Sequence, residues 1–289
     1  MQGNPDFRRA HLYILAECVR QPFEVASRPL RGGRTIACQR WDGVGMASYR
    51  FSAAVISRKT GRSATAAAAY RAAVHIDCER YGEGHDYRRK QGVLHAEILA
   101  PDNAPDWMRD RAALWNAVEA AEKRGDAQLA REIQLSLPHE LTDDQRRALV
   151  REFVAEQFVA RGMIADLAIH SPGRSGDDRN HHAHVMLTMR ELMGDGFGKK
   201  AREWNDRSLL GLWREEWADH QNRLFDRLGI AAEVDHRSYE ARGIDREPEQ
   251  HLGPSASGMT QKGKGSRIEQ ENEAIRAENA ARAEAHTEA

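Results

Sequence analysis

The chain has 289 residues, of which 40 % are hydrophobic and 30 % charged, and its formal net charge is −1. This composition is typical of a soluble globular protein, and no apolar run approaches the roughly 18 residues that a membrane-spanning helix needs. We predict no signal peptide, because Glu17 and Arg20 interrupt the apolar stretch near the N-terminus. The cysteines are widely spaced and include no CxxC pair, which argues against a disulfide framework or a cysteine zinc site and favours a reducing cytoplasm.

Positive charge is concentrated in one segment. Residues 46–100 contain nine Lys or Arg against five Asp or Glu, whereas residues 101–162 contain nine against twelve. A basic segment in a near-neutral protein indicates a surface that binds phosphate groups, or else a surface that is basic without such a role.

The chain is predicted to have three parts. Residues 1–45 mix Pro, Gly and Arg without sustained periodicity, and we expect them to be a dispensable N-terminal extension. Regular patterns begin at Met46, so residues 46–254 are expected to form the main domain. Residues 255–289 follow a Gly/Lys-rich hinge with a charged, alanine-rich sequence, which predicts a helical or disordered tail.

Strand-like and helix-like patterns are interleaved along the main domain. The strands, predicted from alternation and from β-branched and aromatic residues, are residues 48–58, 93–100, 130–138, 163–171 and 181–190. The helices, predicted from apolar periodicity and polar caps at Ser63 and Thr142, are residues 63–76, 105–124, 141–162 and 204–229. The last two strands read as a hairpin. The pattern predicts an α+β fold, a two-layer sandwich in which helices pack on a central antiparallel sheet.

His182-Ala-His184 is the strongest local signal for chemistry. Residues i and i+2 of a strand point to the same face, so both imidazoles project together. The hairpin can bring His170, at the end of the preceding strand, alongside them. Three neutral imidazoles can hold a divalent cation and leave positions open for substrate oxygens. The alternative is that these histidines are only polar residues at the edge of a loop.

Tyr70 is a candidate nucleophile. It lies on a helix of small residues, AAAAYRAA, where a nucleic acid strand can approach closely. Arg58, Lys59, Arg62 and Arg71 surround it in sequence and could hold phosphates. A phenol becomes a useful nucleophile when a cation or metal favours its oxyanion. The alternative is an ordinary aromatic residue of the core.

Glu132 lies in the middle of the predicted strand REIQLSLP. Alternation places it on one face with Gln134 and Ser136, away from the core. It could be a general base or a partner that orients a histidine. A solvated surface glutamate is the alternative.

Together these segments resemble the MobA/MobL family of plasmid mobilization relaxases, from Met46 to about Pro254. The matching text, in the family's order, is ISRKTGRSATAAAAYRAA, REIQLSLPHELT, ADLAIH, NHHAHVMLTMRE, REEWADHQNRLFDRLG, and VDHRSYEARGID followed by HLGP. One such match arises easily by chance, but all of them in order do not.

The resemblance implies a histidine-hydrophobe-histidine (HUH) endonuclease fold. It matches Tyr70 to the nucleophile, the three histidines named above to the metal ligands, and Glu132 to an acidic position of the active site. The family often has a second acid where this chain has Gln134, which leaves the proton acceptor open. His181 should point to the opposite face and is excluded from the ligands.

The resemblance also implies an activity and partners. The enzyme would use Mn²⁺ or Mg²⁺ to nick one strand of single-stranded DNA at an origin of transfer, and would rejoin the ends after plasmid transfer. Tyrosine attack would leave a 5′-phosphotyrosyl end. Accessory mobilization proteins and a coupling protein or type IV secretion system would be its partners, and the bacterial cytoplasm its location before export bound to DNA. Two other functions stay open: a three-histidine zinc hydrolase, and a non-catalytic DNA-binding accessory protein.

Overall fold

The computed structural model describes residues 45–46, 49–173, 178–250, 252–260 and 263–288. Its strands are β1 (Gly45–Met46), β2 (Phe51–Ser57), β3 (His75–Cys78), β4 (Glu83–Asp86), β5 (Val93–Leu99), β6 (Gln128–Ser136), β7 (Ala165–His170), β8 (His182–Leu187), β9 (Arg190–Met193), β10 (Gly196–Lys200) and β11 (Ala232–Glu233). Its α-helices are α1 (Ala64–Ala72), α2 (Arg111–Ala121), α3 (Asp143–Gln157), α4 (Arg207–Leu228), α5 (Gly253–Thr260) and α6 (Arg267–Glu288).

A five-stranded sheet in the order β2-β6-β8-β7-β5 forms the centre of the described fold. Every neighbouring pair in it is antiparallel. The predicted hairpin is present, since β7 pairs with β8 and places His170 opposite His182. The predicted α+β class, an antiparallel sheet with helices packed on it, is therefore confirmed.

Helices cover both faces of the sheet, where the sequence predicted two layers. On one face, Ile133 and Val185 pack with the aromatic side chains of α3 and α4, among them Phe153 and Trp217. On the other face, a second cluster joins side chains of β6 and β8 to α1 and α2 and includes the fully buried Trp115. A strand covered on both faces is apolar along its length rather than alternating, and all six residues of β7 are buried.

The second face carries buried charged residues, and Asp166 is one of them that is paired. Asp166 of β7 is 4 % exposed and accepts hydrogen bonds from Arg111 Nε and from Trp115 Nε1 at 2.8 Å. A buried carboxylate is tolerated when it is paired and hydrogen-bonded. The histidines His170, His182 and His184 lie at one end of this face, and α1 contacts that end through the carbonyl of Arg71 and His170.

Helix α1 is short and closely packed. Ser63 caps it as predicted, accepting a hydrogen bond from the Ala66 amide. Thr142 caps α3 as predicted, and the structure adds a capping box with Gln145. The alanines of α1 that face the protein are buried against the second core cluster, which brings the helix backbone near the sheet. The helix ends at Ala73 in the left-handed conformation, at φ 55°. Tyr70 therefore projects from a helix that is fixed close to the sheet.

Two hairpins were not predicted. β3 pairs with β4, and β9 with β10, each as a separate antiparallel pair. The β3–β4 hairpin follows α1 directly and leads to β5. It therefore determines where residues 87–92 lie relative to Tyr70.

The C-terminal helix α6 is tied to an extended segment of the chain. The side-chain amide of Asn279 accepts a hydrogen bond from the backbone N–H of Glu247 and donates one to its carbonyl. Asn272 makes the same two bonds with Gln250, and all four distances are 2.7–2.9 Å. None of the helices in the described part of the chain has the length and apolarity that crossing a bilayer requires. The expected extension of residues 1–45 lies, except for Gly45, outside the described residues, and the domain boundaries remain predictions.

Candidate active site

Three histidines converge at one end of the sheet. His170 is the last residue of β7, and His182 and His184 lie on the adjoining β8. Their ring centroids are 5.0–5.3 Å apart, and one nitrogen from each ring lies within 4.8 Å of the others. The structure thus brings the three predicted histidines together, close enough to hold a shared cation.

Each ring has one nitrogen already engaged. His170 Nε2 lies 2.7 Å from the carbonyl oxygen of Arg71, and His182 Nδ1 lies 3.0 Å from that of Asn180. His184 Nδ1 lies 2.9 Å from a carboxylate oxygen of Glu132. Because a carbonyl or an ionised carboxylate can only accept, each of these ring nitrogens donates its proton. The remaining nitrogens, Nδ1 of the first ring and Nε2 of the other two, are left with free lone pairs.

Burial favours the neutral form of these rings. Burial lowers the pKa of His170 to about 4, and the charges of nearby Lys90 add to that effect. Burial also lowers the pKa of His182 below its ordinary value. His170 is 7 % exposed. Both rings are therefore unprotonated at neutral pH, which is the state that binds metal.

Glu132 is not the solvated surface residue that one alternative described. It is 8 % exposed, because α1 covers this face of β6. Its carboxylate accepts from His184, from Arg71 Nε at 2.6 Å and from Arg62 at 3.3 Å. Burial raises the pKa of Glu132, but the hydrogen bond from His184 and the charge of Arg71 outweigh it, and the pKa falls to about 2. The carboxylate is thus ionised and its oxygens are occupied.

The positions of Gln134 and His181 agree with the expected alternation of side chains between the two faces of the sheet. Gln134 is the register partner of His184, on the strand beside it. His181 has Arg146 and Asp143 of α3 among its charged neighbours, so its ring lies on the other face of the sheet. It does not belong to the histidine cluster of the described residues.

Tyr70 is exposed beside the cluster. Half of its surface is exposed, so it is not an aromatic residue of the core. Its ring meets that of Tyr87 edge-on, with centroids 5.2 Å apart, and Lys90 Nζ lies 4.3 Å from its ring centroid. The carbonyl oxygen of the next residue, Arg71, accepts a hydrogen bond from His170, and the Arg71 guanidinium donates to Glu132. Two bonds therefore tie the helix of Tyr70 to the histidine cluster.

The four predicted DNA contacts differ in their surroundings. Arg62 and Arg71 reach Glu132, and Lys59 is exposed on the short 3-10 helix before α1. Arg58 does not face the cluster. Its side chain is 5 % exposed, pairs with Glu119 of α2 and donates to backbone carbonyls at the end of that helix. A guanidinium buried in this way holds α2 in place and is not free for DNA, which corrects the expectation for Arg58.

Sequence comparison matches this chain to known mobilization proteins. The model of the MobA/MobL family matches residues 62–262. The mobilization protein MobL of Acidithiobacillus ferridurans is 42 % identical over 272 residues, covering 83 % of this chain and 71 % of that protein. The conjugal transfer protein TraA of Agrobacterium fabrum is 38 % identical over 262 residues, which are 80 % of this chain but only 23 % of TraA.

A solved structure is also similar to this chain in sequence and fold. The structure described as the molecular basis of vancomycin resistance transfer in Staphylococcus aureus is 35 % identical, with a TM-score of 0.62, over 67 % of this chain and 100 % of that one. The fold, the histidine cluster and these relatives define the class of the protein, which is a DNA relaxase. More narrowly, the chain belongs to the MobA/MobL family, as its motifs predicted.

Proposed function

We propose that this relaxase nicks one strand of single-stranded DNA at an origin of transfer through attack by Tyr70, and rejoins the ends after transfer. The observation that supports this most strongly is the position of Arg71. Its backbone contacts His170 and its side chain contacts the carboxylate that holds His184. The candidate nucleophile and the candidate metal ligands therefore form one bonded unit.

The donor set suits a metal ion. Each of the three rings is held by a bond to its second nitrogen, the outer-shell arrangement typical of metal-ligating histidines. A divalent cation held by the free nitrogens of His170, His182 and His184 would act as a Lewis acid on the scissile phosphate. Of the two predicted ions, Mn²⁺ fits three nitrogen donors better, because Mg²⁺ prefers oxygen ligands.

The chemical step is a transesterification. Tyr70 Oη attacks the phosphorus in line, forming the Oη–P bond. The bond from phosphorus to the 3′ oxygen breaks, and that oxygen keeps the electron pair and takes up a proton to become a 3′-hydroxyl. The products are a 5′-phosphotyrosyl end and a free 3′ end. Because the number of phosphodiester bonds is unchanged, a 3′-hydroxyl can reverse the step and reseal the strand.

We assign Glu132 an orienting role rather than proton transfer. Its oxygens already accept from His184 and two arginines, and a carboxyl with a pKa of about 2 is a weak base at neutral pH. Its work is to fix the tautomer and direction of the His184 ring. Tyr70 is half exposed, so its proton can pass to solvent water.

The remaining cations hold the strand. Lys59 and Arg62 are at least partly exposed on the chain that leads into α1, where phosphates flanking the nick would lie. Such contacts position the DNA and make its affinity depend on salt. In the bacterial cytoplasm, accessory mobilization proteins and a coupling protein or type IV secretion system would deliver the nicked strand for transfer.

A denaturing gel tests this proposal. Labelled single-stranded origin DNA is incubated with the protein and Mn²⁺, and a covalent protein–DNA adduct is expected. Chelation of the metal should abolish the adduct. DNA binding without an adduct, with metal supplied, would instead favour an accessory binder, and hydrolysed DNA without an adduct would favour a three-histidine zinc hydrolase.

A further inference from the structure

Lys90 carries a buried charge that the chemistry above does not use. Its Nζ is shielded from solvent and has no hydrogen-bond partner among the described residues. It lies 4.3 Å from the centroid of the Tyr70 ring, over the ring face. An ammonium has three protons to donate, and none of them is used here.

Three backbone bonds fix the position of Lys90. Its own amide closes a tight turn onto the carbonyl of Tyr87 at 2.8 Å, and the amide of Tyr87 bonds Val74, just after α1, at 3.1 Å. On the far side, the amide of Ser171 bonds the carbonyl of Gly92 at 2.8 Å. Gly92 has φ +88°, which favours glycine. The turn is thus held between the end of the nucleophile's helix and the residue that follows His170.

The surroundings of this ammonium are electropositive. Burial lowers the pKa of Lys90, and the neighbouring charge of Arg71 lowers it further. Glu132, the carboxylate of the site, is already shared by two arginines and His184. A cation–π contact offsets only part of the cost of an unpaired buried charge. Among the described residues no anion is hydrogen-bonded to Lys90 Nζ, and the anion that the reaction brings is a phosphodiester.

We propose that Lys90 is a further catalytic residue, which donates a hydrogen bond to a non-bridging oxygen of the scissile phosphate. This inference rests on the proposed role of Tyr70. In-line attack requires the phosphorus within about 3–3.5 Å of the phenol oxygen. A cation above the same ring, whose charge also acts on His170 and His182, is then close enough to reach an oxygen of that phosphate. The contact gives the Lys90 ammonium an anionic partner and stabilises charge that develops on the phosphate.

The test distinguishes two roles for Lys90: contact with the charged phosphate, and packing that supports the Tyr70 ring. Lys90→Met is made in a Tyr70→Phe background, which keeps the aromatic face and cannot cleave. Binding is measured to two single-stranded origin oligonucleotides, one natural and one with a neutral methylphosphonate at the nick position, its two diastereomers used separately. The nick position is mapped beforehand from the adduct formed by the wild-type protein.

Lys90→Met should weaken binding of the natural strand about tenfold or more, since a hydrogen bond to a charged group contributes about 1.5–3 kcal/mol. It should leave binding of the methylphosphonate strand within twofold. Lys123→Met is the matched control, a lysine exposed after α2 and outside the site, and should change neither affinity. Lys90→Arg should recover part of the discrimination, because it restores a cation.

An equal loss on both strands would make Lys90 a support for the ring and overturn the proposal, as would no loss on either. Lys90→Gln serves as a second variant, with the same contrast expected, if Lys90→Met does not fold. This readout needs no cleavage. If the expected difference in binding is absent but the wild-type protein forms the adduct normally, only the role of Lys90 is refuted. If the wild-type protein forms no adduct, the proposed function itself is refuted.

Discussion

The carbonyl oxygen of Arg71 lies 2.7 Å from Nε2 of His170. The residue that follows the candidate nucleophile is thus bonded directly to a candidate metal ligand from another part of the chain. A substitution that displaces α1 should therefore displace the His170 ring, and the reverse should also hold. Metal binding and strand cleavage are expected to depend on the same small group of residues.

Glu132→Gln tests the orienting role of that carboxylate. Glutamine keeps the size but accepts more weakly from His184 and the arginines, so Mn²⁺ affinity should fall about 10–100-fold, the usual effect of losing an outer-shell partner. Titration calorimetry measures the affinity, and excess Mn²⁺ should restore most of the nicking rate. Glu97→Gln, whose carboxylate also pairs with a histidine but outside the site, is the control and should leave metal affinity unchanged. A fall of 10²–10⁴-fold in rate at saturating metal would instead identify Glu132 as the proton acceptor.

The pH dependence of stability should reveal His170. In the metal-free protein its folded pKa is about 4, because burial disfavours the charged ring, whereas in the unfolded chain it is about 6.5. Between these values the unfolded state binds more protons, so the free energy of unfolding should fall as pH falls from 6.5 to 4, by at most about 1.4 kcal/mol per pH unit from this residue. Denaturant unfolding at pH 7 and pH 5 measures this, with His170→Asn showing a smaller difference. An NMR titration of the His170 ring with a midpoint above pH 6 would contradict the prediction.

Arg58 and Arg62 form a matched pair for separating stability from DNA binding. Arg58→Met leaves Glu119 buried without its cation and should lower the free energy of unfolding by about 3–5 kcal/mol. Arg62→Met, whose side chain is 39 % exposed, should change stability little but weaken binding of single-stranded DNA and lower its salt dependence. Unfolding curves and binding at two salt concentrations measure both effects. Equal stability of the two variants would refute the structural role of Arg58.

The N-terminal extension is expected to be dispensable. A chain that begins at Met46 keeps the whole central sheet, and it loses one residue of β1, which pairs with β11. It should therefore stay soluble, unfold at nearly the same temperature and form the same adduct with origin DNA. Loss of soluble expression would show that residues 1–45 are needed for folding.

The sequence predicted those parts of the site that depend on local periodicity. Alternation on β8 places His182 and His184 on one face, and a hairpin is enough to add His170. The caps at Ser63 and Thr142 are likewise local. These features follow from neighbouring residues, so a single sequence carries them.

The bonds between distant residues could not be predicted. The partner of Arg58 is 61 residues away in sequence, so nothing near Arg58 separates a buried ion pair from a phosphate contact. The position of Lys90 depends on the β3–β4 hairpin. Its first strand, HIDC, alternates over only four residues, and its second, EGHD, has no apolar alternation to signal a strand. Burial of Glu132 likewise required the second helix layer.

Removal of a single hydroxyl group tests most directly the claim that Tyr70 is the nucleophile. The rings of Tyr70 and Tyr87 touch each other. Tyr70→Phe and Tyr87→Phe each remove the hydroxyl of one of these rings, so the two variants disturb packing alike. Each variant is incubated with Mn²⁺ and labelled origin DNA, and the adduct is quantified on a denaturing gel and mapped by peptide mass. Tyr70→Phe should form no adduct while binding the single strand normally. Tyr87→Phe should form the wild-type adduct, with the nucleotide on the peptide that contains AAAAYR. An adduct that survives Tyr70→Phe and maps to Tyr87 would contradict the account.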